Sequence, residues 1–357
     1  MPKTRYQAVV VFGDSLSDIG IKAFKPMGRI ARQMGEMTVN PSGRFSDCRN
    51  WADHMYTSAT GETLVHGDVK LTKAQSRKHT SFGADAKWEG RNGTGFYYAN
   101  YAEGGACGGI PTTFVMRHLA LGQFKDQVKA FAKDVKKPGW TATDFLFIIW
   151  FGANDLYTAG APATAMGGVA KKIAEKRRDE IRALIGNRNA RFVFVNLGAP
   201  LSATRYQLVE DKRQRKFDAA SGKILSGAGK KKDLKEVEKF HAARKMINNF
   251  DSGVNLFNAQ LRESTAQNGD IYIDMAACIT REAVNDLLGA MRLLPGSQEK
   301  GSSKRNYSSL EYDKMDSMYH TSTSDDAHPT DRIYKYMWDQ MAAKLGQENI
   351  TFGLLPA

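Results

Sequence analysis

The chain has 357 residues, of which 42% are hydrophobic and 25% charged, an ordinary composition for a globular protein. No apolar run approaches the roughly 18 residues that a membrane-spanning helix needs, so no transmembrane segment is expected. Three widely spaced cysteines without neighbouring histidines argue against a disulfide framework and a structural zinc site. The net charge of +13 is uneven, because residues 205–250 contain 13 Lys and Arg against 6 Asp and Glu.

Apolar runs alternate with helical patterns along the chain, an order that builds a mainly parallel sheet with helices on both faces. The predicted strands are Gln7–Phe12, Phe96–Tyr101, Asp144–Phe151, Arg191–Leu197 and Asp270–Asp274. Apolar residues at helical spacing predict helices over residues 124–135 and 240–261. A last helix is predicted from Pro329, which suits the first helical position, to about Leu345.

Three stretches interrupt this pattern and read as decorations. Residues 60–94 are polar and contain several glycines, residues 206–233 are basic, and residues 295–307 have linker composition. We expect the basic stretch to be a mobile insertion. The sequence contains no internal repeat. We expect a single α/β domain with these decorations over residues 1–357.

The first predicted strand runs directly into Gly13-Asp14-Ser15-Leu16. Open α/β folds place their active sites at the carboxyl edge of the sheet. A helix beginning at Leu16 would also surround Ser15 with free backbone N–H groups, which favour negative charge. On this segment alone, a nucleophile and a helix-capping serine are equally good interpretations of Ser15, since a serine nucleophile also needs a base.

A candidate base lies near the other end of the chain, in Asp325-x-x-His328-Pro329. His328 could accept the proton of Ser15, and Asp325 could bind the second ring nitrogen and fix the tautomer, as in a catalytic triad. Asp326 is the alternative orienting carboxylate.

An acyl-transfer site also needs hydrogen-bond donors for the oxyanion that forms on the substrate. Gly104 and Gly105 follow the second predicted strand, where an unobstructed N–H can approach a substrate. Asn154 follows the third predicted strand and offers a side-chain amide. Each of these signals is weak when it is considered alone.

Together, four blocks at the ends of separate strands resemble the GDSL family of hydrolases, also called SGNH after its Ser, Gly, Asn and His. Gly13–Leu16 is similar to the nucleophile block, Asn100–Gly105 to the glycine block, Gly152–Asp155 to the asparagine block and Asp325–His328 to the last block. The blocks and their order cover residues 9–331. Ser42–Met55 further resembles the subgroup of plant-type lipases and bacterial phospholipase/acyltransferases, which commonly has Gly where this chain has Cys48.

The resemblance implies a three-layer α/β/α, flavodoxin-like SGNH hydrolase fold around a mainly parallel five-stranded sheet. It implies a serine esterase in which Ser15 attacks the ester carbonyl, His328 acts as base and then as acid, and Asp325 orients His328. Because Gly105 is five residues beyond Asn100 in the block that resembles the family's glycine block, the resemblance implies Gly105 rather than Gly104 as a donor. The implied oxyanion-hole donors are the N–H of Ser15, the N–H of Gly105 and the amide of Asn154. The resemblance implies no cofactor and no metal.

The subgroup resemblance and the basic region 205–250 favour lipid acyl esters at an anionic membrane surface, as substrates of a lipase or phospholipase. The alternatives are a carbohydrate or small-molecule acetylesterase, an acyltransferase to an alcohol acceptor, and a non-catalytic basic binding protein. Nucleic acid is not an expected partner. The short apolar stretch at the start is not a secretory signal, which favours a cytoplasmic or non-classically exported protein unless a signal has been trimmed.

Overall fold

A computed structural model describes residues 4–25, 39–40, 42–61, 63–64, 86–89, 95–110, 121–137, 140–280 and 328–353. Its strands are β1 (Thr4–Tyr6), β2 (Ala8–Gly13), β3 (Ala86–Glu89), β4 (Gly95–Asn100), β5 (Asp144–Trp150), β6 (Asn189–Val195), β7 (Ile271–Ile273) and β8 (Ile350–Phe352). Its α-helices are α1 (Ile21–Phe24), α2 (Trp51–Thr60), α3 (Phe124–Asp134), α4 (Met166–Lys171), α5 (Arg178–Ile185), α6 (Thr204–Leu225), α7 (Lys231–Gln267), α8 (Met275–Cys278) and α9 (Asp331–Gln347).

The main sheet has six strands in the order β3-β4-β2-β5-β6-β7. Five of them are parallel, and β3 pairs antiparallel with β4 at one edge. The five parallel strands are the five that the sequence predicts, and their order is that of flavodoxin-like folds. The predicted fold class is therefore confirmed. The antiparallel strand β3 comes from the stretch 60–94.

The sheet is covered by helices on both faces, and its two central strands are apolar throughout β2 and at every position of β5 after Asp144. In β2, Val10 and Phe12 pack with α3, α4, α5 and α7, whereas Val9 and Val11 pack with α2 and α9 on the opposite face. Phe12 meets Phe131 of α3 edge-on at 5.9 Å between ring centroids. Burying both faces explains why these strands are continuous apolar runs rather than alternating ones.

A second, two-stranded sheet joins the two ends of the described chain. β1 pairs in parallel with β8, from Thr4 opposite Ile350 to Tyr6 opposite Phe352. The Arg5 guanidinium Nε donates a 3.0 Å hydrogen bond to the carbonyl of Gly353. The segment that leads into β2 is thus fixed to the segment that follows α9.

The helices differ from their predicted extents in three places. The first helix begins at Ile21 rather than at Leu16, because the carboxylate of Asp18 accepts the N–H groups of Gly20 and Ile21 and sets the first turn there. The last helix begins at Asp331 rather than at Pro329, with Thr330 as the residue that precedes it.

The third difference concerns the basic stretch 206–233, which is helical rather than irregular. It comprises most of α6, a five-residue loop and the start of α7, and α7 itself extends well beyond the predicted 240–261. α6 and α7 form an antiparallel helical hairpin in which Phe217 stacks on Phe240 at 4.4 Å. Among the described residues, no helix combines the length and the apolar character that crossing a bilayer requires.

Candidate active site

Ser15 lies in a turn two residues beyond the end of β2, at the carboxyl edge of the sheet. The Gln127 side chain of α3 fixes the end of this strand, since its Oε1 accepts the N–H of Gly13 and its Nε2 donates to the Gly13 carbonyl. The Asp14 carboxylate accepts the N–H of Leu16 at 3.1 Å and closes the turn around Ser15. Sequence reasoning missed Gln127, because one polar residue on an amphipathic helix carries no local signature.

His328 lies directly against Ser15, although 313 residues separate them along the chain. The Nε2 atom of His328 is 2.8 Å from the Oγ atom of Ser15, which is hydrogen-bond distance. The ring of Phe45 packs against the imidazole with 5.0 Å between centroids. The structure therefore brings together the predicted nucleophile and the predicted base.

The position of His328 depends on Asp331, the first residue of α9. The backbone N–H of Asp331 donates to Asp47 at 2.8 Å. Its carboxylate accepts the Arg49 N–H at 2.9 Å and the Arg49 guanidinium Nε at 3.0 Å, and His54 Nε2 lies 3.3 Å away. Burial alone would raise the pKa of Asp331, but His54 and Arg49 outweigh it and keep that pKa well below its usual range.

Asp47, Arg49 and Phe45 all belong to the stretch Ser42–Met55. This stretch is itself rigid, because Arg44 and Asp53 form a fully buried ion pair with 2.7 Å between Nη2 and Oδ1. The sequence singles out the stretch only through its family resemblance. The structure gives it a physical role, which is to anchor the segment that carries His328.

The glycine block presents one free donor. The N–H of Gly104 donates to the Asp18 carboxylate at 2.7 Å, whereas the N–H of Gly105 has no acceptor among the described residues. Gly105 adopts a φ of 78°, which glycine tolerates best. The N–H of Ser15 likewise has no acceptor in the described part of the chain.

Asn154 begins a π-helical turn (Asn154–Thr158) just after β5. Its Nδ2 atom donates a long, 3.3 Å hydrogen bond to the carbonyl of Ala106, and its Oδ1 atom accepts from the Thr158 hydroxyl at 3.0 Å. These contacts orient the amide so that its N–H₂ side faces the glycine block. The adjacent carboxylate, Asp155, accepts the N–H groups of three consecutive residues, Gly108, Gly109 and Ile110.

Buried carboxylates surround the site and brace its loops. Burial raises the pKa of Asp14 to about 7 and the pKa of Asp18 to about 6, and it raises the pKa of Asp155 as well. Asp18 accepts four backbone N–H groups, including that of Gly104, and so ties the nucleophile turn to the glycine block. The role of Asp18 was missed by sequence reasoning.

A cavity of about 260 Å³ opens beside Ser15 and His328. Asn154 also lines it, whereas Gly105 does not. The side chains that form most of its wall are apolar or aromatic, and they are Leu16, Trp150, Tyr157, Leu197, Tyr206, Ile279, Ile333 and Met337. Arg205, in the first turn of α6, also lines the cavity and carries a positive charge.

The predicted site residues differ in how the structure relates them to one another. Ser15 and His328 are hydrogen-bonded, and Asn154 shares their cavity. Gly105 lies next to Ala106, which accepts the hydrogen bond of Asn154. Asp325 and its alternative, Asp326, lie outside the described residues.

The sequence matches the family model of the GDSL-like Lipase/Acylhydrolase family over residues 9–341. A comparison with curated proteins finds no match. Among solved structures, a phospholipase A1 from Streptomyces albidoflavus NA297 is similar at 13% identity, with 96% of this chain and 99% of that chain covered and a TM-score of 0.36. An extracellular lipase from Streptomyces rimosus is similar at 12% identity, with 95% and 99% covered and a TM-score of 0.36.

Structural similarity at this level carries no information about substrate. The family match is different, because it covers almost the whole chain and includes the blocks of Ser15, Gly105, Asn154 and His328. The chain belongs to the GDSL-like lipase/acylhydrolase family and is an ester-bond hydrolase.

Proposed function

We propose that the protein is a serine esterase that hydrolyses lipid acyl esters through an acyl-enzyme on Ser15. The observation that supports this proposal is the 2.8 Å separation between the Ser15 hydroxyl and the His328 imidazole. A hydroxyl is a weak nucleophile until a base accepts its proton, and this contact supplies the base. The proposal takes Asp325 as the carboxylate that orients His328.

In the first half of the reaction, the Ser15 Oγ atom bonds to the ester carbonyl carbon while its proton passes to His328 Nε2. The electron pair of the carbonyl double bond moves onto the oxygen, which becomes an oxyanion. His328 then gives its proton to the alcohol oxygen, and the bond between carbon and that oxygen breaks. Water, activated in turn by His328, releases the acid and restores Ser15.

The oxyanion needs donors that are already in place when its charge develops. The free N–H groups of Ser15 and Gly105 are the best backbone candidates, because neither has an acceptor among the described residues. The Nδ2 atom of Asn154 donates only a long bond, to Ala106, among the described residues, so its N–H groups are available to a substrate while Thr158 holds the Oδ1 atom. These observations support assigning the three donors to one oxyanion hole.

The shape and polarity of the cavity favour an acyl chain over an acetyl group. Its 260 Å³ is on the order of twenty times the space that one water molecule requires. Its mainly apolar wall would bury methylene groups, each of which contributes about 0.8 kcal/mol. An acetyl group would leave most of this surface in contact with water.

The nucleophile is tested with Ser15→Ala and a matched serine variant, Ser252→Ala, on the exposed surface of α7. We expect Ser15→Ala to lower kcat on a soluble ester by roughly 10⁴-fold or more, because the covalent step is lost. Ser252→Ala should retain the wild-type rate. A fluorophosphonate probe should label the wild type on the peptide that contains Ser15 and should not label Ser15→Ala. Turnover near the wild-type rate in Ser15→Ala would reject the proposal.

The substrate class is tested with p-nitrophenyl esters from acetate to decanoate. We expect kcat/KM to rise with chain length up to octanoate or decanoate, as each methylene is buried in the cavity. Met337→Trp, which would fill part of the cavity, should reduce kcat/KM for decanoate more than for acetate. A preference for acetate, unchanged in Met337→Trp, would replace the lipid assignment with that of an acetylesterase while leaving the Ser15 mechanism intact.

A further inference from the structure

The tip of the hairpin formed by α6 and α7 carries an apolar pair within a cluster of lysines. We define the hairpin tip as residues 223–235, which comprise the end of α6, the five-residue loop and the first turn of α7. Leu225 is 88% exposed, the highest value among the large hydrophobic side chains of the described residues, and Leu234 is 55% exposed. Exposing leucine to water is unfavourable, so the stability of the hairpin does not account for these two residues.

The exposed apolar residues are confined to this hairpin. Every large hydrophobic side chain that is at least 36% exposed in the described part of the chain lies on α6 or α7. The hairpin has its own interior, built from Phe217, Ala220, Phe240 and Ile247. Leu225 and Leu234 lie beyond that interior, at the end of the hairpin, where the described part of the chain leaves them exposed.

The charges at the hairpin tip are strongly positive. The tip contains five lysines and a single acid, Asp233. The carboxylate of Asp233 is turned inward, where it accepts the N–H of Lys230 at 2.9 Å. Among the described residues, no carboxylate lies within ion-pair distance of the amino groups of Lys230, Lys231, Lys232 or Lys235.

Two of these lysines lie at a position that is electrostatically unfavourable for the helix. Residues 231 and 232 begin α7, where the helix macrodipole favours negative rather than positive charge. Nearer the base, by contrast, Glu236 is neutralised within the hairpin by Arg213, Lys216 and Lys239. The lysines of the tip are therefore arranged for contact with an external anion.

We propose that the hairpin tip docks on an anionic lipid bilayer, with Leu225 and Leu234 inserted among the acyl chains and the surrounding lysines bound to anionic headgroups. A bilayer offers both complementary environments at once, an apolar interior beneath a negatively charged surface. A nucleic acid would satisfy the lysines but would leave the leucines exposed to its phosphates. A second copy of this chain that docked tip to tip would bring two clusters of lysines together, and their positive charges would repel each other.

The hairpin places this contact at a distance from the ester-cleaving cavity. Tyr206 lines the cavity, and 19 residues of helix between Tyr206 and Leu225 span about 29 Å. All the hydrogen bonds, ion pairs and ring contacts described for residues 211–246 are internal to the hairpin. Docking would thus tether the enzyme to a surface and raise its local concentration there, without rearranging the cavity.

The test is sedimentation of the full chain with vesicles, in a Ser15→Ala background so that the lipid stays intact. The vesicles contain either phosphatidylcholine alone or equal parts of phosphatidylcholine and phosphatidylglycerol. We expect binding to the anionic vesicles. The double variant Leu225→Ser/Leu234→Ser should weaken it at least about tenfold, and the triple variant Lys230→Gln/Lys231→Gln/Lys232→Gln at least about tenfold.

Two matched controls separate the tip from general hydrophobicity and charge. Leu256→Ser changes a leucine that is 46% exposed on the same helix but 22 residues from Leu234. Lys129→Gln/Lys133→Gln/Lys136→Gln removes the same charge from α3 and the turn after it. Both controls should bind within about twofold of the parent. The proposal is overturned if the controls lose as much binding as the tip variants, if the tip variants bind like the parent, or if the leucine variant changes only self-association measured by light scattering. Because sedimentation does not require ester turnover, the result is independent of the proposed catalytic function.

Discussion

The ring of Phe45 packs against the imidazole of His328, with 5.0 Å between their centroids. Gly104 provides the space for this ring, since a Cβ atom at that position would lie 2.4 Å from the ring atoms Cε2 and Cζ of Phe45. The glycine block therefore contributes twice to the site. It exposes the N–H of Gly105 and, through Gly104, allows an aromatic ring to support the base.

Gly104→Ala should displace the ring of Phe45 and so disturb the packing that supports His328 beside Ser15. We expect kcat to fall about 10- to 100-fold with little change in KM, because a displacement of about 1 Å can cost that much in rate. Phe45→Leu in the same chain removes the clashing ring atoms, so the double variant should recover part of the loss. The check is a double-mutant cycle in kcat. Purely additive effects of the two substitutions would mean that Gly104 does not act through Phe45.

Asn154→Ala should lower kcat by about 10² to 10³-fold while KM changes little, since an oxyanion donor acts in the transition state rather than on the bound ester. Steady-state kinetics on a soluble ester provides the measurement. Asn255→Ala, an exposed asparagine on α7, is the matched control and should retain full activity. A rise in KM at unchanged kcat would instead make Asn154 a ground-state binding residue.

The two adjacent carboxylates before His328 can be separated by isosteric amides. If Asp325 orients the imidazole, Asp325→Asn should lower kcat by about 10²-fold or more, because an amide can hold the ring in the wrong tautomer. Asp326→Asn should then retain activity close to the wild type. The opposite ranking of the two variants in kcat would transfer the orienting role to Asp326.

Asp331→Asn should lower the free energy of unfolding at neutral pH by about 2 kcal/mol. This loss is smaller than that expected on breaking a fully buried ion pair, because Arg49 is 33% exposed. The pKa of Asp331 is lower in the folded than in the unfolded protein, so its stabilising effect is present above about pH 4 and declines as the pH falls below that value. Denaturant unfolding at several pH values tests this. The difference between wild type and variant should shrink in acid, and a difference that stays constant down to about pH 2.5 would contradict the assignment.

Asp14→Asn tests a carboxylate whose pKa is raised, rather than lowered, in the folded protein. Burial raises the pKa of Asp14 to about 7 in the folded protein. The folded state therefore binds a proton that the unfolded state has released, and stability decreases as the pH rises from about 4 to about 7. Asn cannot ionise, and its Oδ1 atom can still accept the N–H of Leu16. The variant should match the wild type in Tm near pH 4 and exceed it above pH 7, and a Tm difference that does not change with pH would contradict the assignment.

The five parallel strands of the main sheet were predictable because each contains a run of apolar residues that a polar or glycine residue ends, as in Ala8–Gly13, whereas the short strands β1, β3 and β8 lack such a run and were not predicted. The hairpin was underestimated for the opposite reason. Its run of lysines with Gly227 and Gly229 is a composition typical of a loop. The rest of α6 and α7, however, is rich in Lys, Gln, Ala and Glu, which all have high helix propensity. Helix propensity, rather than hydrophobic periodicity, was the signal that could have identified it.

The site was predictable only in part. Ser15 and His328 are 313 residues apart, so no local pattern relates them; the chemistry of a catalytic triad suggested their pairing, and the family resemblance supported it. No motif or resemblance indicated the residues that hold the site in place. Gln127, Asp18 and Arg49 are single polar residues whose partners are backbone groups or distant side chains, and only the folded chain brings these partners together.

The parallel pairing of β1 with β8 has a consequence for the order in which the fold is completed. β1 lies just before the strand that leads to Ser15, but its partner strand, Ile350–Phe352, is more than 340 residues away along the chain. Contacts this distant in sequence form late, because closing the intervening chain is entropically costly. We therefore expect the pairing of β1 with β8 to form later in folding than the local turn that holds Ser15.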